Sequence, residues 1–430
     1  MTQTQTLGVG FSDLGIAPGL LDTLSRLKLV EPTPIQHQAI PIAIQGKDVV
    51  GIAQTGTGKT LAFGIPLVQL LLSRKGQGLV ILPTRELALQ VDESLRHIGH
   101  SQGIRTAVVI GGTSFGPQLR ALSSRPHVVI GTPGRLNDLI EKGKLKLHTT
   151  SIVVLDEADR MLDMGFLPQL VTILQELPEE HQTMLFSATM PPEIMKLASK
   201  HMKLPVRVEV APAGTTVETV THELVILSRE QKPEFLQHIL LETLGSVLVF
   251  TRTKFAAQRM ARDLRVAKIS AAEIHSDRSL YQRREALEGF KSGKHRVLVA
   301  TDIAARGIDV KGIALVVNYD MPDSVDNYVH RIGRTARAGT QGRAITFATP
   351  TEQRDVRSIE RAIHKSFMMT RLPGSMQPVR FQEQSESRAP RRAPYGSRDS
   401  RGGSRYGRSQ SGHGSSRGRS PSFQKRSRAS

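Results

Sequence analysis

The stretch "AQTGTGKT", residues 53–60, decides the fold because it joins an apolar run to a helix-length segment. The run ahead of it, "DVVGIA" (48–53), predicts a buried strand, and the segment after it predicts a helix. Gly56 and Gly58 would let backbone N–H groups turn toward phosphate oxygens, and the start of the helix adds its dipole. We therefore predict a phosphate-binding loop; the alternative is a glycine-rich turn that binds no ligand.

The same loop predicts a nucleotide with a magnesium ion. Lys59 would reach the β- and γ-phosphates, and the Thr60 hydroxyl would ligate Mg²⁺. The general pattern begins with glycine, whereas this chain has Ala53. The other loop residues expected to contact the nucleotide are Gln54, Thr55, Gly56, Thr57 and Gly58.

Short apolar runs recur on both sides of the loop, with helical patterns between them. Such runs, without polar alternation, are typical of strands buried on both faces and hence of parallel sheets with helical crossovers. In the first half they cover residues 48–53, 78–82, 106–110, 127–130, 152–155 and 183–188. In the second half they cover residues 222–227, 246–250, 296–300, 314–319 and 343–348. The sequence predicts an α/β protein with two parallel sheets of about the same size, flanked by helices.

Composition divides the chain into segments. Residues 208–219, "VEVAPAGTTVET", lose the apolar periodicity and predict a linker. Residues 388–430 contain no Leu, Ile, Val or Met, so nothing there could offset the entropy of ordering the chain. We expect a first domain at 1–207, the linker, a second domain at 220–369, and a disordered tail rich in Arg, Gly and Ser at 370–430.

Charge and cysteine content restrict the class of protein. The 43 residues of 388–430 hold eleven Arg, Lys425 and one acid, Asp399, and so carry +11 of the net charge of +19. A polyanion is the expected partner of such a segment, and a membrane surface is the alternative. The absence of cysteine excludes disulfides and thiolate metal sites. Because no apolar leader and no membrane-length apolar stretch is visible, we expect a soluble cytoplasmic protein.

The stretch "SIVVLDEADRML", residues 151–162, places Asp156, Glu157 and Asp159 at the end of a predicted buried strand. Crowded carboxylates repel one another and therefore tend to take up protons, but a bound divalent cation stabilises their charged form. Asp156 would hold Mg²⁺ directly or through water, and Glu157 would orient or deprotonate an attacking water. Asp159 would face another loop. Taken alone, the stretch could be an ordinary acidic start of a helix, which the helix dipole favours.

Seven ordered motifs carry a resemblance to a known family. They are "AQTGTGKT" (53–60), "PTRELA" (83–88), "TPGR" (132–135), "DEAD" (156–159), "SAT" (187–189), "ATDIAARGID" (300–309) and "HRIGRTAR" (330–337). Together they resemble the DEAD-box ATP-dependent RNA helicases of the bacterial type, over about residues 11 to 365. The resemblance implies two tandem RecA-like domains, ATP and Mg²⁺ as cofactors, and RNA-dependent ATP hydrolysis.

The resemblance also assigns the adenine-reading segment, 11–39. Gln36 would hydrogen-bond the adenine edge, because its amide offers a donor and an acceptor, and Phe11 would pack nearby. Lys28 and Leu29 stand where the family usually has Gly and an aromatic residue. The alternative is a helix start punctuated by proline.

Further site residues follow from the family's motifs. Ser187 and Thr189 would couple the nucleotide state to the RNA state, with hydroxyls that could bond back to the Asp159 region. Arg334 and Arg337 would act as arginine fingers on the γ-phosphate. His330 would join the interdomain network, and Gly307 and Asp309 would approach the nucleotide. Spacing alone, with Arg331, Arg334 and Arg337 three residues apart, also fits a solvated basic face of one helix.

The residues implied in RNA binding would contact its backbone, which carries affinity but no base sequence. In the first domain they are Pro83, Thr84, Arg85, Gly111, Gly112, Thr132, Gly134 and Arg135. In the second domain they are Arg252, Arg283 and Thr301, with Leu280 standing where the family often has Gln. The basic tail, interleaved with Tyr395, Tyr406 and Phe423, suits RNA without sequence preference; a spacer is the alternative.

The sequence therefore predicts an ATP-dependent RNA helicase that unwinds RNA locally and remodels RNA–protein particles. A DNA-directed helicase or translocase, and a non-enzymatic RNA-annealing or scaffold protein acting through the tail, are the alternatives. Ribosome assembly, mRNA decay and cold adaptation all fit as settings, with ribosomal-particle or RNA-decay proteins as partners.

Overall fold

The computed structural model describes residues 10–54, 56–210, 219–305, 310, 312–336 and 341–381. It contains two seven-stranded sheets whose pairings are all parallel. We call the part around the first sheet, residues 10–210, the first lobe, and the part around the second sheet, residues 219–381, the second lobe. In the described residues, no helix has the length and apolar character needed to cross a membrane.

The first lobe alternates strands and helices. Its strands are β1 (Val49–Ile52), β2 (Gln77–Ile81), β3 (Thr106–Val109), β4 (Val128–Gly131), β5 (Thr150–Asp156), β6 (Gln182–Ser187) and β7 (Val206–Glu209). Its helices are α1 (Pro18–Arg26), α2 (Pro34–Ile44), α3 (Lys59–Ser73), α4 (Arg85–Gly99), α5 (Phe115–Ser123), α6 (Pro133–Glu141), α7 (Ala158–Asp163), α8 (Leu167–Gln175) and α9 (Pro192–His201). Short 3₁₀ helices cover Phe11–Leu14 and His100–Gln102. The strand order is β3-β4-β2-β5-β6-β1-β7.

The second lobe repeats the pattern. Its strands are β8 (Val220–Ile226), β9 (Val247–Thr251), β10 (Ala271–Ile274), β11 (Val297–Thr301), β12 (Leu315–Asn318), β13 (Gly342–Ala348) and β14 (Met368–Met369). Its helices are α10 (Lys232–Glu242), α11 (Lys254–Val266), α12 (Leu280–Lys291), α13 (Asp302–Ala305), α14 (Val325–Ile332) and α15 (Gln353–Ile363). The strand order is β10-β11-β9-β12-β13-β8-β14.

Both faces of each sheet are covered by helices, which is why the central strands are apolar throughout. In β1, Val49 belongs to the core on one face of the sheet and Val50 to the core on the other. Leu248 and Val249 of β9 divide in the same way between the two cores of the second lobe. The prediction of two parallel sheets with flanking helices is therefore confirmed.

Every apolar run named from the sequence forms a strand, but three strands escaped prediction. β7 reads "VRVE" and lies at a sheet edge, so charged side chains alternate with valines and no apolar run results. β10 reads "AAEI" and buries small side chains together with Glu273. β14 has two residues. Edge position, buried charge and short length each remove the signal that the prediction used.

Two of the expected boundaries differ from the structure. β7 runs to Glu209, two residues into the segment expected as a linker, because it pairs with β1. The expected start of the tail at residue 370 is wrong: the backbone N–H of Thr370 donates to the Leu224 carbonyl at 2.8 Å, and Met376 is buried against the second lobe. Residues 211–218 of the linker and 382–430 of the tail lie outside the described residues.

The carboxyl ends of the strands position the motifs. β5, β6 and β1 are neighbours in the first sheet, so "DEAD", "SAT" and the phosphate loop emerge side by side at one edge. Parallel sheets bind ligands at this edge, because the loops and helix N-termini that follow the strands all gather there.

Candidate nucleotide and RNA site

The phosphate loop has the backbone expected from its glycines. Gly56 and Gly58 have φ of 86° and 91°, and α3 begins directly afterward at Lys59. The Lys59 ammonium is buried and donates to the Ala53 carbonyl at 2.7 Å. The lysine is thus folded back over its own loop, where it can exchange that carbonyl for a phosphate oxygen.

Gln36 is tied into the same loop. Its Nε2 donates to the Gly58 carbonyl at 3.0 Å, and its Oε1 accepts from the Thr33 N–H at 3.0 Å, closing the capping box of α2. A Cβ on Gly58 would displace the Gln36 amide from its bond to the loop, and the φ of 91° at this position independently favours glycine. Phe11 is buried in the core beside this region. Adenine recognition by Gln36 and Phe11 stays a prediction.

Asp156 ends β5 as a buried carboxylate. Its Oδ1 accepts from the Glu157 N–H at 3.0 Å. Burial raises the pKa of Asp156 to about 7; the charge of Lys59 works against this rise, and that of Glu157 adds to it.

The residues around Asp156 fit a magnesium ion. A cation would stabilise the charged form of this buried carboxylate. Thr60, in the first turn of the adjacent α3, supplies a hydroxyl nearby. Among the described residues, no three acidic or histidine side chains form a metal cluster. Mg²⁺ needs few protein ligands when phosphates and waters complete its shell, so Asp156 and Thr60 fit it.

Glu157 occupies a strained position between strand and helix. Its φ and ψ are 54° and 50°, in the left-handed region that non-glycine residues seldom adopt. Its carboxylate is buried and accepts from Arg160 Nη1 at 2.7 Å. The Arg160 side chain is 1% exposed, and its Nη2 has no hydrogen-bond partner among the described residues. One buried cation therefore sets the direction of the proposed water-activating group.

Asp159 joins "DEAD" to "SAT". Its Oδ2 accepts from the N–H of Ala188, the N–H of Thr189 and the Thr189 hydroxyl, at 2.9–3.1 Å. Ser187 Oγ accepts from the Asp159 N–H at 3.1 Å. Burial opposes ionisation of Asp159, but Lys59 and the N–H of Thr189 outweigh it and hold its pKa below the ordinary value. The expected contact of these hydroxyls with Asp159 is present, and their role in coupling stays a prediction.

The arginines of the basic motif "HRIGRTAR" in the second lobe differ in their positions and contacts. α14 ends at Ile332, so Arg331 lies on the helix and Arg334 lies beyond it; a shared helix face for the three arginines is wrong. Arg331 is buried, and its Nε and Nη2 donate to Asp302 Oδ1 and Oδ2 at 2.6 and 2.7 Å. Arg334 is also buried, and its Nε donates to the His330 carbonyl at 3.3 Å. Arg331 is thus a structural anchor for its own lobe.

The two lobes meet at a cavity beside "DEAD". Arg160 of the first lobe lines it together with Asp302, Asn327, His330, Arg331 and Arg334 of the second. His330 also helps to hold the pKa of Asp159 down, although it belongs to the other lobe. The cavity brings the Glu157–Arg160 pair and Arg334 to one place.

The expected RNA-binding residues of the first lobe support one another. Arg85 lies so close to Gly112 that a Cβ at that glycine would collide with Arg85 Nη1. Gly112 has φ of 73°, a conformation that favours glycine, and a larger residue would also push the Arg85 guanidinium away from this loop. Arg135 donates through Nη1 and Nη2 to the Thr113 carbonyl, each at 3.1 Å, and stacks on the Phe115 ring. Arg135 therefore fixes the loop that carries the two glycines.

Threonines begin the helices at this edge. Thr84, after Pro83, caps α4 by accepting from the Leu87 N–H at 3.3 Å. Thr132 precedes α6, and a Cβ on Gly134 would meet open space. Helix N-termini at an open edge offer N–H groups, and the threonines there offer hydroxyls, to an anionic backbone. Their contact with RNA stays a prediction.

In the second lobe the expected RNA residues lie at the matching edge. Thr301 ends β11, and the Arg252 N–H donates to Asp320 at 2.8 Å while its Nε lies 3.3 Å from Asp323. Arg283 instead turns to the first lobe, where its Nη2 lies 2.9 Å from Glu86 Oε2. Four site residues, Thr55, Gly307, Asp309 and Arg337, lie outside the described residues.

Three participants were missed from the sequence: Glu86, Arg160 and Asp302. Each is charged and sits inside or directly after a quoted motif, in "PTRELA", "DEADR" and "ATDIAARGID". Glu86 and Arg160 are recognised as site residues by their burial, because charged side chains are almost never fully buried unless they are paired. No periodicity in the sequence reports that burial.

Solved structures share this architecture. The chain matches that of S. cerevisiae Dbp5 bound to RNA and ADP BeF3 with a TM-score of 0.72 and 30% identity, over 84% of this chain and 95% of that one. It matches Mss116p, a double deletion of the NTE and C-tail bound to ssRNA and AMP-PNP, with a TM-score of 0.78 and 27% identity. That match covers 86% of this chain and 81% of the other. Tandem RecA-like domains are thereby established.

Sequence relatives agree. The chain is 42% identical over 379 residues to the DEAD-box ATP-dependent RNA helicase CshA of Bacillus licheniformis, covering 87% of this chain and 78% of the relative. The Bacillus subtilis protein of the same name is 41% identical over 87% of this chain and 77% of the relative. The DEAD/DEAH box helicase family matches residues 33–197, and the helicase conserved C-terminal domain matches residues 231–339. This chain therefore belongs to the DEAD/DEAH box helicase family.

Proposed function

We propose that this chain is an ATP-dependent RNA helicase whose two lobes close on ATP and on one RNA strand, so that hydrolysis is coupled to local unwinding and remodelling of RNA–protein particles. Membership of the DEAD/DEAH box helicase family supports this helicase activity, and so do the relatives named as DEAD-box ATP-dependent RNA helicases. In the two matching structures, the protein is bound to RNA together with a nucleotide analogue.

One observation supports the mechanism above the others. The cavity beside "DEAD" joins Arg160 of the first lobe to His330 and Arg334 of the second. In this proposal, half of the phosphoryl-transfer machinery would stand on each lobe, and both halves would be needed. Transfer of a phosphoryl group depends on positioning and charge stabilisation, so an enzyme divided in this way is active only when its lobes are closed.

In the first lobe, Lys59 would leave the Ala53 carbonyl for the phosphates, and Asp156 and Thr60 would hold Mg²⁺. The ion would neutralise charge that develops on the phosphate oxygens. Glu157, directed by Arg160, would orient the attacking water and accept its proton. Arg334 would bring its guanidinium toward the γ-phosphate, with Arg337 as a second finger; Gly307 and Asp309 would approach from the same lobe.

The coupling of ATP to RNA would run through the hydrogen bonds of Asp159 to Ser187 and Thr189. At the RNA edge, Arg85, Arg135, Arg252 and Thr301 would contact or position the sugar–phosphate backbone without reading bases. Backbone contacts of this kind suit binding to many RNAs and predict local strand separation with little processive movement.

We also propose the domain limits. Residues 1–207 and 220–369, followed by the segment to 381 described above, would form the two domains, and the basic residues 388–430 would assist RNA binding. A cytoplasmic location and partners from ribosomal particles or RNA decay fit such an activity, and both remain proposals.

ATP hydrolysis measured with and without RNA tests the function. We expect wild-type protein to be stimulated by a mixed-sequence RNA and far less by the matched DNA, and Glu157→Gln to bind both ligands but hydrolyse ATP at least about a hundredfold more slowly. Lys59→Ala serves as the nucleotide-binding control. Equal hydrolysis by Glu157→Gln and wild type would exclude the mechanism, and equal stimulation by DNA would favour a DNA-directed enzyme.

A further inference from the structure

We propose that Phe255 and Tyr281 form a stacking surface for the bases of single-stranded RNA that leaves the backbone-binding edge of the second lobe. This inference rests on the proposed function, since it concerns the path of the same RNA strand. It adds contacts to bases, whereas the residues discussed so far would contact only the backbone.

Exposure separates these two residues from every other aromatic side chain in the described part of the chain. Phe255 is 70% exposed and Tyr281 is 77% exposed, while the remaining described Phe and Tyr residues are buried or half-buried. Aromatic residues make up 4% of the chain, and the two described rings that stay exposed lie on the same lobe, which points to one shared reason for their exposure. Their burial against a partner would supply one.

Both rings lie at the edge where the second lobe is expected to bind RNA. Phe255 is in the first turn of α11, after β9, and Tyr281 is in the first turn of α12, after β10. β9 and β10 flank β11 in the sheet, so the starts of both helices lie at the carboxyl ends of one group of strands. The surface thus adjoins Arg252 and Thr301, which follow or end β9 and β11.

An ion pair connects the two helix starts. Lys254 Nζ lies 2.8 Å from Asp277 Oδ2, which joins the first residue of α11 to the loop ahead of α12. Phe255 follows Lys254 directly, and Tyr281 stands four residues after Asp277. The Lys254 ammonium also lies 5.2 Å from the centre of the Phe255 ring. Both rings therefore lie in the first turns of capped helices, and such ordered backbone lowers the entropy that a stacked base would cost.

Charge favours a nucleic acid as the occupant. α11 carries Lys254, Arg259, Arg262 and Arg265 against one acid, Asp263, so its net charge is +3. Lys254 lies at the start of this helix, beside Phe255, whereas Arg259 and Arg262 lie farther along it. The side chains of Arg259 and Arg262 are 79% and 69% exposed and approach Asp263 at 3.7 and 3.4 Å. Cations that follow a backbone, combined with flat rings that accept any base, are the recurring elements of sites for single-stranded nucleic acid.

The opposite edge of the same lobe offers a contrast. Its exposed large side chains, Leu241, Leu244 and Val266, lie at the end of α10, in the loop before β9 and at the end of α11, and all are aliphatic. Their exposures, 76%, 89% and 80%, are similar to or greater than the 70% and 77% of the two rings. Among the residues that the structure describes, exposed aromatic side chains occur only at the edge where bases would pass, which supports stacking over non-specific adhesion.

The test compares Phe255→Ala/Tyr281→Ala with Leu241→Ala/Leu244→Ala, both in the full chain. Affinity is measured by fluorescence anisotropy on oligouridylates of about 6 and about 20 nucleotides, and on an abasic strand of the longer length. We expect the aromatic double variant to lose about tenfold or more in affinity for the longer strand and little for the short or abasic strand. The leucine variant should match wild type, and Phe255→Tyr/Tyr281→Phe, which keeps both rings, should restore binding.

Two results would overturn the inference: unchanged affinity of the aromatic variant for the longer strand, or an equal loss on the abasic strand, which would assign the effect to charge or folding. An unchanged RNA affinity would direct attention to an acidic peptide as the occupant. RNA-stimulated ATPase at saturating RNA should stay at the wild-type level in the leucine variant. The proposed function fails independently of this inference if wild-type protein shows no such stimulation.

Discussion

Arg283 of the second lobe and Glu86 of the first form a buried ion pair, with Nη2 and Oε2 2.9 Å apart. The side chains are 10% and 5% exposed. Three residues earlier on α12, Leu280 packs against the core cluster of the first lobe. The family's usual Gln at this position is thus replaced by an apolar contact between the lobes, and the adjacent Arg283 closes the same contact with charge.

Removing one partner of this pair should weaken closure of the lobes. Arg283→Ala leaves Glu86 with an uncompensated charge in the closed state, and breaking a buried pair typically costs about 3–5 kcal/mol. Opening the lobes returns Glu86 to water, so the cost falls on closure. We expect the RNA concentration needed for half-maximal ATPase stimulation to rise at least about tenfold.

A double-mutant cycle separates this effect from lost RNA contact. Glu86→Gln/Arg283→Gln should recover part of the stimulation that Arg283→Gln loses, because the buried charge is then absent. If Glu86→Gln alone leaves closure unchanged and the double variant behaves like Arg283→Gln, the arginine acts on RNA and the ion pair is incidental.

Arg160 should control the rate of hydrolysis through Glu157. Arg160→Gln removes the cation that directs the Glu157 carboxylate and leaves that carboxylate buried and unpaired. We expect kcat for ATP to fall about 10- to 100-fold while KM for ATP changes little, because Arg160 lies beside the hydrolytic group and not in the phosphate loop.

Arg160→Lys serves as the conservative control. It keeps the charge but cannot donate in the same planar geometry, so kcat should recover in part. A rise in KM equal to the loss in kcat would contradict a role in positioning Glu157 and would indicate a distorted binding site instead.

The sequence predicts the sheets well and the interactions of charged groups poorly, and Glu157 and Arg135 show why. Apolar runs report burial on both faces, and the phosphate loop reports its own backbone, so the strands and the position of "AQTGTGKT" follow from local pattern. The partner of Glu157 depends on the left-handed turn that brings Arg160 back over it. Arg135, expected at RNA, turns to the Thr113 carbonyl because that loop folds beneath it. Such pairings are set by tertiary approach, which no spacing encodes.

Asp156 should make stability depend on pH in the absence of nucleotide and Mg²⁺. Its pKa is raised by burial to about 7, above an ordinary value of 3.8, so the folded state keeps a proton that the unfolded state releases. The corresponding stability is present at low pH and is lost as pH rises toward 7. Asp156→Asn lacks this titration and should have a Tm about 3–8 °C higher than wild type at pH 8.

The same comparison at pH 5 is the control, since the difference in Tm between variant and wild type should shrink there. Adding Mg²⁺ and ATP at pH 8 should reverse the order, because only the wild type retains the carboxylate for the ion. A difference in Tm that does not change between pH 5 and pH 8 would contradict a buried, titrating Asp156.

The contact between Asp159 and Thr189 should separate hydrolysis from unwinding. The Asp159 carboxylate accepts three hydrogen bonds from residues 188 and 189, one of them from the Thr189 hydroxyl at 3.0 Å. Thr189→Val keeps the shape and the backbone bond but removes that hydroxyl. Ser187→Ala removes the acceptor for the Asp159 N–H, and each lost bond is worth about 1 kcal/mol. We expect Ser187→Ala/Thr189→Val to keep at least about a third of RNA-stimulated ATPase and to lose most duplex unwinding, measured by strand release from a short RNA duplex. Thr172→Val, which removes an exposed helical hydroxyl on α8, is the matched control and should affect neither activity. Parallel loss of hydrolysis and unwinding in the double variant would mean that the hydrogen bonds maintain the catalytic site itself and carry no separate signal to RNA.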